Sequence, residues 1–314
     1  MKTLPKVALL AAIAAASSAN ADMIAMDDET LGATVGQAGL TIQIDEAEIS
    51  IGAIDYKDGG FISIKDVVLT GGTGAFGGAG DGILNNITMT VDVAGPDTNQ
   101  DLGTSRRGEA YIEQAALLVG GAVSGNYVNQ TISDGDLVIS ILATDSTNLL
   151  QSVDFSLSIG SIGLGDSTQQ AGSVTDGTVL LSDLSLNGYL GPVDIIIDGN
   201  DGGINMSAYF NAEGKLSLPF ASVTTDFSIH NSRGDDVVWL GTQDKGNSMA
   251  HAQVNISKAV AANGTEGLAF DIQNLEADID LENFALGGAG SGAIVGDLYF
   301  TDVHMKAKTV VFGH

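Results

Sequence analysis

The stretch Ala277-Asp278-Ile279-Asp280-Leu281-Glu282 alternates apolar and acidic residues one for one. Successive side chains on a strand point to opposite faces, so this hexamer predicts a β-strand with one apolar and one acidic side. The same period of two recurs at Leu40, Ile42 and Ile44 and at Phe155, Leu157 and Ile159. It recurs again at Val193, Ile195 and Ile197, just before an Asp198-Gly199 turn. An acidic face is expected to meet water, as in antiparallel sheets wetted on one side. Forty-two glycines and only four prolines, beside abundant Ile, Val and Thr, leave little to sustain helices. Helix is expected at Gly108 to Val119 and over a short N-terminal piece from Met23 to Val35. Gly71 to Gly82 and Gly287 to Gly292 read as glycine-rich turns. The expected fold is all-β: a large antiparallel sheet framework, either a sandwich or an open or partly closed barrel.

A short pattern repeats within these strands. Ile64 to Gly71 (IKDVVLTG) reads apolar-x-Asp-apolar-x-apolar-x-Gly, and Leu181 to Gly188 (LSDLSLNG) fits the same template. Leu281 to Gly288 (LENFALGG) fits with Asn for Asp, and Phe300 to Ala307 (FTDVHMKA) lacks only the glycine. Ile51 to Asp58 and Ile159 to Asp166 are looser copies. The apolar offsets of 0, 3 and 5 break the parity of a strand once, as a β-bulge at the Asp position would. The six copies therefore predict equivalent bulged strands in one framework. No linker-like change of composition divides the chain, which predicts one elongated all-β domain over residues 22–314.

The first 21 residues bear on compartment. Lys2 and Lys6 precede an apolar run from Val7 to Ala16, followed by Ser17-Ser18-Ala19-Asn20-Ala21 with small residues at the cleavage positions. This is the pattern of a secretory signal peptide over residues 1–21, and it predicts a protein of the periplasm, cell surface or medium. The apolar run is too short to span a bilayer, and no later segment approaches the ~20 apolar residues a spanning helix needs. The formal net charge is −27; loss of two lysines with residues 1–21 would leave ten basic residues against 39 acidic ones, or −29. Such a chain is repelled by nucleic acid and by anionic lipid. The chain has no cysteine, which excludes disulfides, thiol catalysis and zinc–thiolate sites.

Candidate sites are few. Gly72-Thr73-Gly74-Ala75-Phe76-Gly77 matches a dinucleotide-type glycine pattern, but the glycines that follow cannot open the helix such a site requires. Calcium is the one metal that fits. Asp97, Asn99 and Asp101 place three oxygen side chains at alternate positions, although Leu102 and Gly108 stand where an EF-hand loop needs glycine and an acid. Asp198 to Gly203 and Gly77 to Ile83 are weaker versions of the same idea. The four histidines, His230, His251, His304 and His314, show no ligand spacing, and neither a nucleophile elbow nor a His-Glu-x-x-His motif occurs. The chain reads as non-catalytic, with a paired-carboxylate cleft the one enzyme design that spacing does not test. A transmembrane barrel would show aromatic girdles, which 5% aromatic residues fit poorly. A soluble sheet with an apolar trough for lipid fits the alternation.

Met26-Asp27-Asp28-Glu29-Thr30-Leu31, leading into Val35-Gly36-Gln37-Ala38-Gly39-Leu40-Thr41-Ile42, resembles the opening of FilA-like proteins of bacterial pilus or fimbrial systems. Gly296 to Val303 and the closing Phe312-Gly313-His314 resemble the end of such proteins. The resemblance covers about 40 residues near the two ends. It implies a surface or fimbrial component with pilus-system partners or copies of itself, and no catalytic residue. Unpaired strands are the raw material of assembly by strand addition. On that reading Leu40, Ile42 and Ile44 form an inserting strand, and Val303, Met305 and Val311 a receiving one. The alternatives are that both strands pair within their own sheet, and that the chain is an exported binding module for lipid or calcium.

Overall fold

The computed structural model describes residues 39–78, 80–95, 107–123, 126–128, 130–144, 153–287 and 293–312. The predicted signal peptide and the helix expected over 23–35 lie outside these residues. One antiparallel sheet of twelve strands dominates, so the chain is all-β. In chain order the strands are β1 (Leu40–Ile44), β2 (Ile49–Asp58), β3 (Gly60–Thr70), β4 (Ile87–Val93), β5 (Leu137–Ala143) and β6 (Val153–Gly165). They continue with β7 (Thr178–Ile197), β8 (Ile204–Leu218), β9 (Val223–His230), β10 (Ala250–Val260), β11 (Glu266–Leu286) and β12 (Ala293–Val311). The helix expected from Gly108 forms as α1 (Arg107–Val119).

The sheet has two levels. Long strands β7, β8, β11 and β12 run through both, while shorter strands share the remaining columns. At the upper level the order is β2-β3-β6-β7-β8-β9-β11-β12; at the lower it is β1-β4-β5-β7-β8-β10-β11-β12. Each level is eight strands wide. A lower row pairs Leu40, Val91, Ile139, Ile195, Met206, Val254, Ile272 and Ala307 in turn. An upper row pairs Ile49, Leu69, Leu157, Leu186, Gly214, Phe227, Leu281 and Leu298. Leu40 and Ile49 are nine residues apart on one edge, as are Ala307 and Leu298 on the other, so the two rows keep their spacing across the sheet. The outer strands β1 and β2 do not pair with β12, so the sheet stays open.

The Asp positions of the repeat carry the predicted irregularity. Asp66, Asp183, Asn283 and Asp302 all adopt φ of 53°, in the left-handed region that Asp and Asn tolerate best among residues with a side chain. The register shifts at Asn283, at Asp302 and, against β8, at Asp183, as a bulge requires. At Asp66 no extra residue enters. Ile64 pairs with Ile54 and Ile162, and Val67 with Ile51 and Ile159, so neighbouring strands break parity at one level. The two looser copies are thus not equivalents of the others but their partners. They place Gly52 and Gly160 opposite Asp66, and a Cβ on Gly160 would stand 3.0 Å from the Asp66 side chain.

The strand β8 shows what the two faces carry. Its even positions, Ile204 through Leu218, are apolar or glycine; its odd positions are Asn205, Ser207, Tyr209, Asn211, Glu213, Lys215 and Ser217. The described excursions fold onto the odd, largely polar face. Ile112 of α1 packs with Tyr209, Val238 and Met249, while Ala94, Val138 and Ile196 form a second small cluster there. The expectation of a wetted polar face is therefore overturned. Asp278 and Asp280 are fully buried, and Met206 on the apolar face is 39% exposed. Two substitutions test the left-handed site. Asp183→Val is expected to cost about 1–2 kcal/mol in urea unfolding, because a branched side chain is strained at this φ. Asp183→Gly should be close to neutral.

Candidate interaction surfaces

The polar face is buried because a strap, residues 231–249, crosses it and brings cations with it. Asp280 accepts from Arg233 Nη2 at 2.7 Å, lies 2.6 Å from Lys245 Nζ and 3.2 Å from His230 Nε2, and meets the Ser228 hydroxyl at 3.3 Å. Asp278 accepts the Arg233 backbone N–H at 2.7 Å and the Asp302 N–H at 3.1 Å, tying the strap to both β11 and β12. Burial alone would raise the Asp280 carboxyl. The hydrogen bonds from Arg233, Lys245 and His230 reverse that and hold it far below the usual carboxylate range. Burial also pushes His230 below its ordinary 6.5, outweighing the pull of Asp280 and Asp278. Its Nδ1 receives the Ser232 backbone N–H at 3.3 Å, so Nε2 carries the proton toward Asp280.

A second buried histidine, His251, stacks between Tyr209 and Tyr127, with ring centroids 4.4 and 5.4 Å away. Asn274 donates to its Nδ1 at 3.0 Å, and its Nε2 then donates to the Ser207 hydroxyl at 2.9 Å. The order Ser–His–Asn is that of a hydrolytic relay, but Ser207, His251 and Asn274 are 4%, 2% and 0% exposed. With rings on both faces of the imidazole, the arrangement anchors the 126–130 segment, whose Val128 backbone exchanges two hydrogen bonds with Gln253. No sequence motif marked either network. The one signal was the acidic and polar alternation itself, whose burial depends on residues far along the chain.

The edges are the surfaces that sequence reading did single out. Leu40, Ile42 and Ile44 lie on β1, which pairs with β4 in its own sheet and forms the lower half of one edge. β2 forms the upper half, and Leu40 to Asp58 together span 19 positions. Val303, Met305 and Val311 lie on β12, a strand of 19 residues paired with β11 along its length. Among the described residues β12 has no partner on its outer side. Both faces of β12 are accessible, with Tyr299 58% exposed on one and Leu298 47% exposed on the other. Seven antiparallel steps separate the edges, so they run in opposite directions.

The other candidates carry less. Asp97, Asn99 and Asp101 lie outside the described residues. Asp198 closes an ordinary turn, its Oδ1 accepting from the Asn200 and Asp201 N–H groups. Asp81 does the same for the Ile83 N–H. Among the described residues no group of three or more His, Asp or Glu is placed to hold a metal ion. The dinucleotide-like glycines lead into a single 3-10 turn, Ala75–Gly77, with no α-helix following. No helix of the described residues is long and apolar enough to cross a membrane.

Residues 1–95 match a family of unknown function, DUF6160, a stretch that holds β1 to β4 and hence one whole edge. Comparison with curated proteins and with solved structures finds no match. The buried charges generate a prediction about acid. An unfolded chain takes a proton on His230 near pH 6.5 and on Asp280 near pH 3.8, and the folded chain refuses both. Stability is thus complete above pH ~6.5 and declines as pH falls. Melting temperature followed across this range should drop steadily, and His230→Gln should remove the upper part of the drop. Asp280→Ala should cost about 3 kcal/mol at neutral pH, because it leaves Arg233 and Lys245 without their shared carboxylate.

Proposed function

We propose that this protein is a non-catalytic, exported structural component that assembles by edge-to-edge strand addition into a pilus- or fimbria-like surface array. The observation that carries the reading is the pair of edges without an outer strand among the described residues: β1 and β2 on one side and β12 on the other, opposite in direction and level with one another. A second copy placed beside β12 with its β1–β2 edge inward would extend the sheet with antiparallel pairing preserved. Such a contact is heterologous and does not close on itself, which is the condition for a filament. Exposed, long, apolar edges are what soluble proteins usually blunt with charge, bulges or proline. Here Ile294, Val295, Leu298 and Tyr299 expose apolar side chains along the upper half of β12, up to the Asp302 bulge where Arg233 donates to the Phe300 carbonyl. The signal-peptide pattern and the resemblance of the two ends to FilA-like proteins support the same reading, since both fit an exported chain.

Purified protein examined by sedimentation velocity and electron microscopy is expected to form filaments that lengthen with concentration. Proline placed singly at Lys306 and at Ala307 gives the specific test. Neighbouring residues of an antiparallel strand turn their N–H groups to opposite sides, so one of the two variants blocks only the outer edge. That variant should melt normally and fail to grow filaments. A protein that stays unassembled at every concentration would sink the proposal.

A further inference from the structure

The apolar face of the sheet is a second surface, separate from the edges. Across the rows that β8 spans, from Ile204 to Leu218, this face carries no charged side chain. The acids and lysines of the same strands, such as Asp194, Glu213, Lys215, Asp278 and Asp280, point to the other face. The described excursions also cross that other face, as the contacts of α1, of Phe76 with Glu213, of Asp176 with Ser161 and of Lys245 with Asp280 show. Val153, Val193, Ala212, Ala250 and Ala277 of this face are buried, while Met206, Phe270, Ile54, Ile62 and Leu164 remain more than a third exposed. Soluble proteins rarely leave so extensive an apolar surface unpartnered.

We infer that this face packs against the same face of a second copy, making a two-layered β-sandwich with the polar faces and their straps outermost. Eight strands about 4.8 Å apart and fifteen residues at about 3.3 Å give a face of roughly 1,700–1,900 Å². That is about twice the ~800 Å² per partner of a standard stable interface, and in the range of obligate dimers. A chargeless face is complementary to itself about a two-fold axis, and twisted sheets pack aligned at about 30° with side chains interleaved across ~10 Å. A lipid surface suits it less. The chain carries a net charge of −27, which disfavours anionic bilayers, and few aromatic residues to seat at an interface. Face pairing leaves both edges of each layer free, so it stands whether or not strand addition occurs.

Size-exclusion chromatography with light scattering on the purified protein tests this. The smallest species is expected to have twice the mass of one chain. Met206→Lys, on the inner strand β8 and exposed on this face, should halve that mass with an unchanged far-UV circular dichroism spectrum, and Met206→Leu should keep the dimer. Phe270→Lys, nearer the rim, serves if the central variant misfolds, with the same halving expected. The proline variant that blocks only the outer edge should remain a dimer, which separates failure of the face from failure of the edges. A wild-type species of single-chain mass would overturn the inference, as would a dimer that survives both lysine substitutions. A monomer that floats with phosphatidylcholine vesicles would overturn it in favour of lipid.

Discussion

A buried carboxylate must be met by donors or the fold does not form, and the placement of Asp280 organises the polar side of this sheet. Its charge is answered from three directions by Arg233, Lys245 and His230, all carried on or beside the strap that leaves β9. The strap cannot lift away without breaking the ion pairs and hydrogen bonds that Arg233 and Lys245 make with that charge. Asp278, one pleat further along β11, fixes the same strap through backbone N–H groups and joins it to β12. The acids of the alternating stretch therefore act as anchors for a covering segment rather than as a solvated surface.

The inversion of the faces follows from this. Once loops and α1 are committed to the polar side, hydrophobic clusters form only where an apolar residue intrudes on that side, as Tyr209, Val138 and Ile196 do. The greater part of the aliphatic surface is left on the opposite side. Buried hydrogen-bond networks such as Ser207–His251–Asn274 specify one arrangement of the cover, but add little net stability each. A chain built this way gains most by finding a second apolar surface.

The left-handed residues keep this division of faces intact over strands of up to 21 residues. A long strand that slips parity by one would turn its aliphatic side chains into the polar layer. At Asp66 and Asp183 the correction is made at one level in adjacent strands, with Gly160 between them giving the Asp66 side chain room. The outer strands, β1 and β2 on one side and β12 on the other, do not pair with one another, which leaves two edges instead of a closed barrel.

The sequence by itself determined the alternation of the strands, the helix from Gly108 to Val119 and the four irregular Asp or Asn positions. Each of these depends on neighbours within a few residues, where strand period and left-handed tolerance act directly. It also pointed to Leu40, Ile42 and Ile44 and to Val303, Met305 and Val311 as assembly strands, and the sheet places them on its two edges. Only the tertiary structure decided which face would be covered. That choice rests on Arg233 and Lys245 reaching Asp280, separated from it by 47 and 35 positions, and on Tyr127 reaching His251. Alternation shows that a strand has two faces; it carries no information on which of them a distant loop will cover.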